Sequence, residues 1–156
     1  SHVRVIAETK KGDYFMAANF VKASGGCAAP PLGDMDGMIA NAGKMKVKLK
    51  NNEDNIVNAK IMIQHPQFNG LQTNPVTTAM IEAFYIEKIN VAYNGEAIMN
   101  LVSDISISQD PTFRFKFPTN KGGKLKITAS DTDGKNYTFS KEYAYKDKQL
   151  IEVASK

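Results

Sequence analysis

Residues 88–95 read Lys88-Ile89-Asn90-Val91-Ala92-Tyr93-Asn94-Gly95, and this run carries two signals of a β-hairpin. Its apolar side chains Ile89, Val91 and Tyr93 alternate with Lys, Asn and Ala, a pattern that gives a strand one buried face. Asn94-Gly95 is the strongest short-range signal for a tight hairpin turn. A second apolar run follows the turn at residues 97–102. The stretch therefore predicts two antiparallel strands with one face in a core.

The same pattern extends through most of the chain. Phe113, Phe115 and Phe117 alternate with Arg114 and Lys116, and Asp133-Gly134 is a second turn between alternating runs. The predicted strands of this region are residues 59–64, 84–93, 97–102, 112–117, 124–130 and 136–143. Strands of this length with such turns favour an all-β fold, and specifically an immunoglobulin-like β-sandwich.

Two shorter segments precede the predicted sandwich. Residues 3–9 and 14–21 form a predicted β-hairpin around the turn Lys10-Lys11-Gly12-Asp13. A lone hairpin is marginal in water, so we expect its exposed edge to recruit another chain and give a strand-paired homodimer.

After the hairpin, residues 34–42 predict a short helix that is capped by Asp34 and ends at Gly43, and residues 45–49 predict a strand. We therefore divide the chain into residues 1–27, a linker of residues 28–55, and the sandwich, residues 56–156.

Composition limits the classes of function. The chain has 156 residues, 42% of them hydrophobic and 23% charged, which predicts a folded, soluble protein. It contains no membrane-length apolar run, and its amino end lacks the order of a signal peptide. The net charge of +4 comes from scattered lysines, with arginine only at Arg4 and Arg114, so neither nucleic acid nor membrane is an expected partner.

The chain has one cysteine and two histidines, and His2 follows a Ser1 that looks like the scar of a cleaved tag. One cysteine and His65 cannot build a common zinc site, so we expect no metal and no organic cofactor. The single cysteine also leaves no internal disulfide, although it offers a second route to a dimer through an intermolecular one.

Cys27 is the candidate functional residue. It lies in Ser24-Gly25-Gly26-Cys27-Ala28-Ala29-Pro30-Pro31. The two glycines allow the backbone before Cys27 conformations that are closed to other residues, and the two prolines keep the backbone after it extended. We therefore expect the sulfur to be presented to solvent rather than packed in a core. A presented thiol can carry a covalent cargo. The alternative is an incidental free cysteine, which is usually buried as a small hydrophobe. Lys22 or Lys44 would lower its pKa if the fold brings either one close.

An independent enzyme is not expected. The only nucleophile–base pair is Cys27 with His65, and no third, orienting group is identifiable. His65-Pro66 lies where a predicted strand ends, so His65 is also interpreted as a turn histidine hydrogen-bonded to the backbone.

Two repeated residue types have structural and functional interpretations. Met35, Met38 and Met45 are interpreted as core filling, with a partner-binding patch as the alternative. The lysines at 44, 46, 48 and 50 alternate on one strand face. They indicate a solvated face, or a face that protects a sheet edge from pairing with another chain. The alternative is that this face docks an acidic partner.

The motifs of the second region resemble those of the SoxZ family. They are Gln64-His65-Pro66, Ile81-Glu82-Ala83-Phe84-Tyr85-Ile86, Tyr93-Asn94-Gly95-Glu96, Ile107-Ser108-Gln109-Asp110-Pro111-Thr112-Phe113-Arg114-Phe115 and Asp133-Gly134-Lys135. SoxZ is the immunoglobulin-like scaffold subunit of a periplasmic sulfur-oxidation carrier. The hairpin ending in Gly25-Gly26-Cys27 is similar to the carboxyl end of SoxY, whose terminal cysteine carries sulfur intermediates. Together the regions resemble a SoxYZ-like fusion of the quinoprotein-dehydrogenase-associated type.

This resemblance implies a periplasmic, non-enzymatic carrier that holds a sulfur-containing intermediate on Cys27 while Sox-type enzymes or a quinoprotein dehydrogenase system act on it. It departs from SoxY in two respects: Cys27 continues into a second domain, and the SoxY-like region lacks its beginning. The alternative function is a non-covalent adaptor or binding module for a quinoprotein dehydrogenase system, with Cys27 structural or vestigial.

Overall fold

The computed structural model describes residues 2–21, 28–31, 33–51, 55–147 and 149–153. Within these residues the chain is almost entirely β-structure, which confirms the predicted fold class. The elements in chain order are β1 (His2–Glu8), β2 (Tyr14–Phe20), α1 (Met35–Ala40), β3 (Met45–Asn51), β4 (Ile56–Ile63), β5 (Ile86–Tyr93), β6 (Glu96–Val102), β7 (Thr112–Pro118), β8 (Gly123–Asp131), β9 (Asn136–Lys146) and β10 (Gln149–Glu152). No helix in the described part of the chain is long and apolar enough to cross a membrane.

Two antiparallel sheets make the sandwich. The larger sheet has the order β10-β9-β8-β5-β6, and the smaller sheet has the order β3-β4-β7. Val57 and Ile61 of β4 share one core with Ile89 of β5 and Ile127 of β8. Because side chains alternate along each strand, both sheets turn an apolar face inward and a polar face outward. Burial of these inner faces is the main force that holds the two sheets together.

The predicted Asn94-Gly95 turn is confirmed. It joins β5 to β6 with φ angles of 53° at Asn94 and 84° at Gly95, the left-handed conformation that a two-residue hairpin of this type requires. The Asn94 side chain then fastens the neighbouring strand, because its Oδ1 accepts the Lys124 N–H at 2.9 Å.

Strand β3 belongs to the sandwich, although the sequence analysis assigned its residues to the linker. It pairs with β4 from Met45↔Ile63 to Asn51↔Val57. Its alternate residues Met45, Val47 and Leu49 pack against the core, and this burial decides where the strand lies. The division of the chain at residue 55 therefore separates two paired strands of one sheet.

Strand β10 was not predicted. It is a short edge strand that pairs with β9 from Gln149↔Lys146 to Glu152↔Tyr143, and Leu150 packs against the core. Four residues with one core-facing side chain give too little periodicity to distinguish a strand from a loop. Its conformation is selected by the edge of β9, by the core contact of Leu150 and by the Leu150 N–H, which donates to Asn51 Oδ1 of β3 at 2.9 Å.

Helix α1 is shorter than the predicted 34–42 but lies in the predicted place. Asp34 precedes it without a side-chain capping bond, and Asn41 follows its last turn. Gly43, the predicted stop, has φ 84°, and a Cβ at this position would clash with the Tyr137 ring. Glycine is therefore required at Gly43 both for its backbone conformation and for the close approach of β9.

The β1–β2 hairpin forms as predicted, in a register that runs from His2↔Phe20 to Glu8↔Tyr14. Every residue of both strands is exposed, including Val5 and Phe15 on one face and Met16 on the other. A sheet normally buries at least one face, so this hairpin presents apolar surface that no described part of the chain covers.

Candidate functional site

Four of the predicted site residues, Lys22, Gly25, Gly26 and Cys27, lie outside the described residues. The fifth, His65, is described in full. The structure also describes the chain that leaves the cysteine, beginning with Ala28 and Ala29. The site is therefore built from that exit segment and the part of the sandwich that receives it.

The exit segment is attached to one end of the sandwich. The Gln72 side-chain amide donates to the Ala29 carbonyl at 3.1 Å, two residues after Cys27. Met35 of α1 then packs against a small apolar cluster formed by Phe68, Ile81 and Phe84. Met35 and Met45 thus fill apolar contacts, as the structural interpretation of the methionines predicted.

A buried polar cluster lies beside this apolar cluster. We call it the His65 cluster, and its members are His65, Gln67, Asp131 and Tyr137. Only 1%, 5% and 2% of the surfaces of His65, Gln67 and Asp131 are exposed. The His65 ring contacts Phe84 of the apolar cluster, with 4.4 Å between ring centroids. The apolar cluster on which Met35 of the linker packs therefore includes Phe84, and Phe84 also contacts the His65 ring.

The hydrogen bonds fix the tautomer of His65. The Gln67 backbone N–H donates to His65 Nδ1 at 3.3 Å, so this nitrogen carries no proton and a neutral ring holds its proton on Nε2. Nε2 faces Asp131 Oδ2 at 3.6 Å, beyond a normal hydrogen bond. The backbone hydrogen bond proposed for a turn histidine is thus present.

Burial controls the protonation of this cluster. Loss of solvent lowers the pKa of His65, and the nearby Asp131 carboxylate opposes that effect only in part. Burial, followed by the hydrogen bond to Asp131, raises the pKa of Tyr137. The Tyr137 hydroxyl donates to Asp131 Oδ2 at 2.6 Å. The cluster is therefore set to hold a neutral imidazole and a neutral phenol around one carboxylate.

Asp110, which precedes β7, links this strand to the segment that follows β4 at this end of the sandwich. Its Oδ1 accepts the His65 backbone N–H at 3.0 Å, and its own N–H donates to the His65 carbonyl at 3.0 Å. Asp110 has φ 49°, an uncommon angle for a residue other than glycine. This reciprocal pair joins Gln64-His65-Pro66 to Gln109-Asp110-Pro111, two motifs that are far apart in the sequence.

The geometry gives the His65 cluster a structural role in this chain. The His65 ring is buried and its two nitrogens face Gln67 and Asp131, so it presents no reactive atom to solvent. Sequence reasoning singled out His65 but missed Asp131 and Tyr137. A sequence signal did exist for Asp131, because an Asp two residues before Asp133-Gly134 is well placed to accept turn N–H groups. Among the described residues, no group of three or more His, Cys, Asp or Glu side chains could hold a metal ion.

Comparison with known proteins identifies the family of the sandwich. The model of the family described as sulphur oxidation protein SoxZ matches residues 43–142, well over half of the chain. The chain belongs to the SoxZ family. The SoxZ match begins beside β3 and includes all four members of the His65 cluster, whereas Cys27 and the β1–β2 hairpin precede it. None of the curated proteins matches this chain.

The chain is also similar to solved structures at low sequence identity. A variant of the superoxide reductase (neelaredoxin) from Ignicoccus hospitalis is 12% identical, with a TM-score of 0.50 over 76% of this chain and 93% of its own. A hypothetical protein, PH1083 from Pyrococcus horikoshii OT3, is 15% identical, with a TM-score of 0.47 over 65% of this chain and 88% of its own. At such identities the likeness to the Ignicoccus protein shows the fold alone.

Proposed function

We propose that this SoxZ-family chain is a carrier in sulfur oxidation that holds a sulfur-containing intermediate on Cys27 while partner enzymes act on it. The observation that carries the proposal is the SoxZ match over residues 43–142, which begins 16 residues after the last residue of the run Gly25-Gly26-Cys27. A scaffold of this family that follows a cysteine in a glycine-containing run has the parts that a covalent carrier needs.

The attachment of the exit segment supports this role. A carrier must present its cargo at a defined place, and the Gln72–Ala29 hydrogen bond fastens the chain close to Cys27. The packing of Met35 on the apolar cluster adds a second attachment. In the proposed carrier the chain is therefore held two residues after Cys27, at one end of the sandwich.

The chemistry proposed for Cys27 is thiol–disulfide exchange. The Cys27 thiolate attacks a sulfur–sulfur bond of a donor, forms a new sulfur–sulfur bond, and releases the other donor sulfur as a thiolate. This step needs no external oxidant, because one sulfur–sulfur bond replaces another. A cation near the thiol would favour the thiolate, and Lys22 and Lys44 are the candidates for this role.

Residues 1–27 are proposed to be the carboxyl end of a SoxY-like domain, in a chain that works in the periplasm. The proposed partners are Sox-type enzymes or a quinoprotein dehydrogenase system. Family membership supports a protein partner in general. The identity of that partner is to be tested by binding.

Intact mass measured without reductant tests the carrier proposal. We expect protein isolated from its native compartment to carry a reductant-sensitive adduct of one or more sulfur atoms. Because Cys27 is the only cysteine in the chain, the Cys27→Ser variant should lose the whole adduct while its circular dichroism spectrum stays unchanged. An unmodified thiol in every preparation, or an equal adduct on the variant, would contradict the proposal.

The second candidate is a non-covalent adaptor for a quinoprotein dehydrogenase system. The exposed apolar hairpin favours it, because apolar surface of this kind commonly marks an interaction site. This function predicts that Cys27→Ser is silent in every assay, whereas substitutions of exposed hairpin residues such as Phe15 reduce partner binding.

A further inference from the structure

The outer face of the smaller sheet is strongly cationic. Strands β3, β4 and β7 place six cations on this face, which we call the basic face: Lys46, Lys48, Lys50, Lys60, Arg114 and Lys116. In the strand register Lys48 is opposite Lys60, and Lys60 is opposite Arg114. Three cations thus form one row across the sheet. The strands contribute no Asp or Glu to this face, and none of the six cations has an ion pair with any described residue.

This arrangement costs stability. Like charges that lie directly opposite each other on neighbouring strands are destabilising. Lysines on edge strands are also used to prevent strand-to-strand aggregation, and that role accounts for the charges on β3 and β7, which are the two edges of this sheet. It does not account for Lys60, because β4 is the central strand and has no free edge.

The outer face of the larger sheet has no such row of opposed cations in its strand register. On its outer face Lys124 of β8 is directly opposite Glu142 of β9, and Lys126 is opposite Ser140 and Ala92, which carry no charge. Among the described strands, cations that lie directly opposite each other are therefore found in the smaller sheet, although the outer face of the larger sheet also carries Lys88, Lys124 and Lys126.

We propose that the basic face is a docking surface for a partner protein with an acidic surface. This inference is independent of what Cys27 carries. A nucleic-acid surface would be expected to offer aromatic rings for base stacking, but Phe113, Phe115 and Phe117 all point into the sandwich. A membrane surface would need exposed apolar side chains beside the cations, and Met62, the apolar residue in the row of Lys46, is half-buried.

The shape of the basic face also fits protein side chains. A shallow depression of about 490 Å³ is lined by five of these cations together with Asn58, Ala59 and Phe115. A second one of about 480 Å³ is lined by Lys44, Met45, Lys46, Met62 and Gln64. Carboxylates of a partner can enter between the lysine stems, where each is close to more than one cation. Such complementarity chiefly raises the rate and the specificity of association.

The position of the basic face relates it to the linker. The basic face begins at Lys46 in β3, which follows α1 of the linker after a short connection. From Lys46 to Lys50 it extends along β3 for about 13 Å, at roughly 3.3 Å per residue. A protein docked on the basic face would lie beside the end of the sandwich that bears the linker.

Binding of a fluorescently labelled polyglutamate peptide to the full chain tests the proposal, with fluorescence anisotropy read at several NaCl concentrations. The test variant is Lys48→Glu/Lys60→Glu/Arg114→Glu. The matched control is Lys88→Glu/Lys124→Glu/Lys126→Glu, which reverses three exposed lysines of the larger sheet. Each variant lowers the formal net charge from +4 to −2, because three reversals remove two units each. A general charge effect would therefore weaken binding equally in both.

We expect the basic-face variant to raise the Kd for polyglutamate at least tenfold, and the control to raise it less than threefold. The neutral variant Lys48→Gln/Lys60→Gln/Arg114→Gln, which removes the three positive charges without adding negative ones, should also weaken binding more than the control. Equal losses in the two charge-reversal variants would overturn the proposal. Tighter binding of a thymidine oligonucleotide, or of phosphatidylserine vesicles, than of polyglutamate at equal salt would also overturn it and reassign the surface.

Discussion

At the scale of the residue, the buried carboxylate of Asp131 organises the His65 cluster. Burying a charge is costly unless it is hydrogen-bonded. Oδ1 of Asp131 accepts the backbone N–H groups of Asp133 at 3.1 Å and Lys135 at 2.9 Å, while Oδ2 accepts the Tyr137 hydroxyl. These three bonds offset the loss of water. They also hold the β8–β9 turn against the His65 ring.

The pH dependence of stability follows from His65. Because its pKa is lowered in the folded state, the unfolded chain binds this proton more readily, so folding is favoured as pH rises. The contribution is complete above the unfolded pKa of about 6.5 and is lost as pH falls toward the lowered folded-state pKa. We expect the free energy of unfolding, measured by urea melts, to fall by up to about 1.4 kcal/mol per pH unit in this window.

His65→Gln should remove this component of the pH dependence, whatever it does to stability at neutral pH. His2→Gln is the matched control, since His2 lies on the exposed hairpin, and it should retain the wild-type decrease. A His65→Gln variant with the same pH profile as the wild type would show that other groups cause the effect.

Tyr137 provides a second test of the cluster. Tyr137→Phe removes the hydroxyl that donates to Asp131 and leaves a buried acceptor short of one partner, which should cost about 1–3 kcal/mol in denaturant melts. Tyr145→Phe is the control, because the Tyr145 hydroxyl donates to Asn55 Oδ1 at an exposed site, and it should cost well under 1 kcal/mol. Equal losses in the two variants would contradict a special role for the buried bond.

At the scale of the element, the strands show how one alternating pattern serves two purposes. Along β4 every second residue, from Val57 to Ile63, is buried, and this face builds the core. The other face carries Lys60 into the row with Lys48 and Arg114. The core face thus stabilises the sheet, while the repulsion across the outer face opposes that stability in part.

Lys60→Glu should therefore stabilise the fold. The substitution places a carboxylate between two cations and replaces two repulsive cross-strand pairs with attractive ones, for a gain of about 0.2–1 kcal/mol. Thermal unfolding measures the effect. Lys126→Glu is the control, since its cross-strand neighbours carry no charge, and it should leave the melting temperature nearly unchanged. A loss of stability in Lys60→Glu alone would show that the row is not under electrostatic strain.

At the scale of the whole molecule, the hairpin and the sandwich have opposite environments. The sandwich encloses its apolar faces between two sheets, but the hairpin exposes apolar residues on both of its faces. A two-stranded sheet without cover is marginally stable in water. The arrangement favours association of the hairpin with a second copy of the chain.

We expect a dimer in light scattering coupled to size-exclusion chromatography, with reductant present to prevent a Cys27 disulfide. Phe15→Lys should shift the protein toward monomer because it places a charge on the apolar surface of the hairpin. Val102→Lys, at a valine that is 82% exposed on β6, is the control and should leave the dimer intact. A wild-type protein that remains monomeric at its highest soluble concentration would rule out this dimer.

The sequence by itself determined the all-β fold, the hairpin, the main strands of the sandwich and the SoxZ resemblance, because alternation and turn residues act over a few neighbouring positions. Only the tertiary structure placed β3 and β10 at sheet edges, since their partners β4 and β9 determine their positions. It also brought His65, Asp110 and Asp131 together from distant parts of the chain. The row of Lys48, Lys60 and Arg114 depends on strand register in the same way, and register is set by the packing of the opposite, buried face.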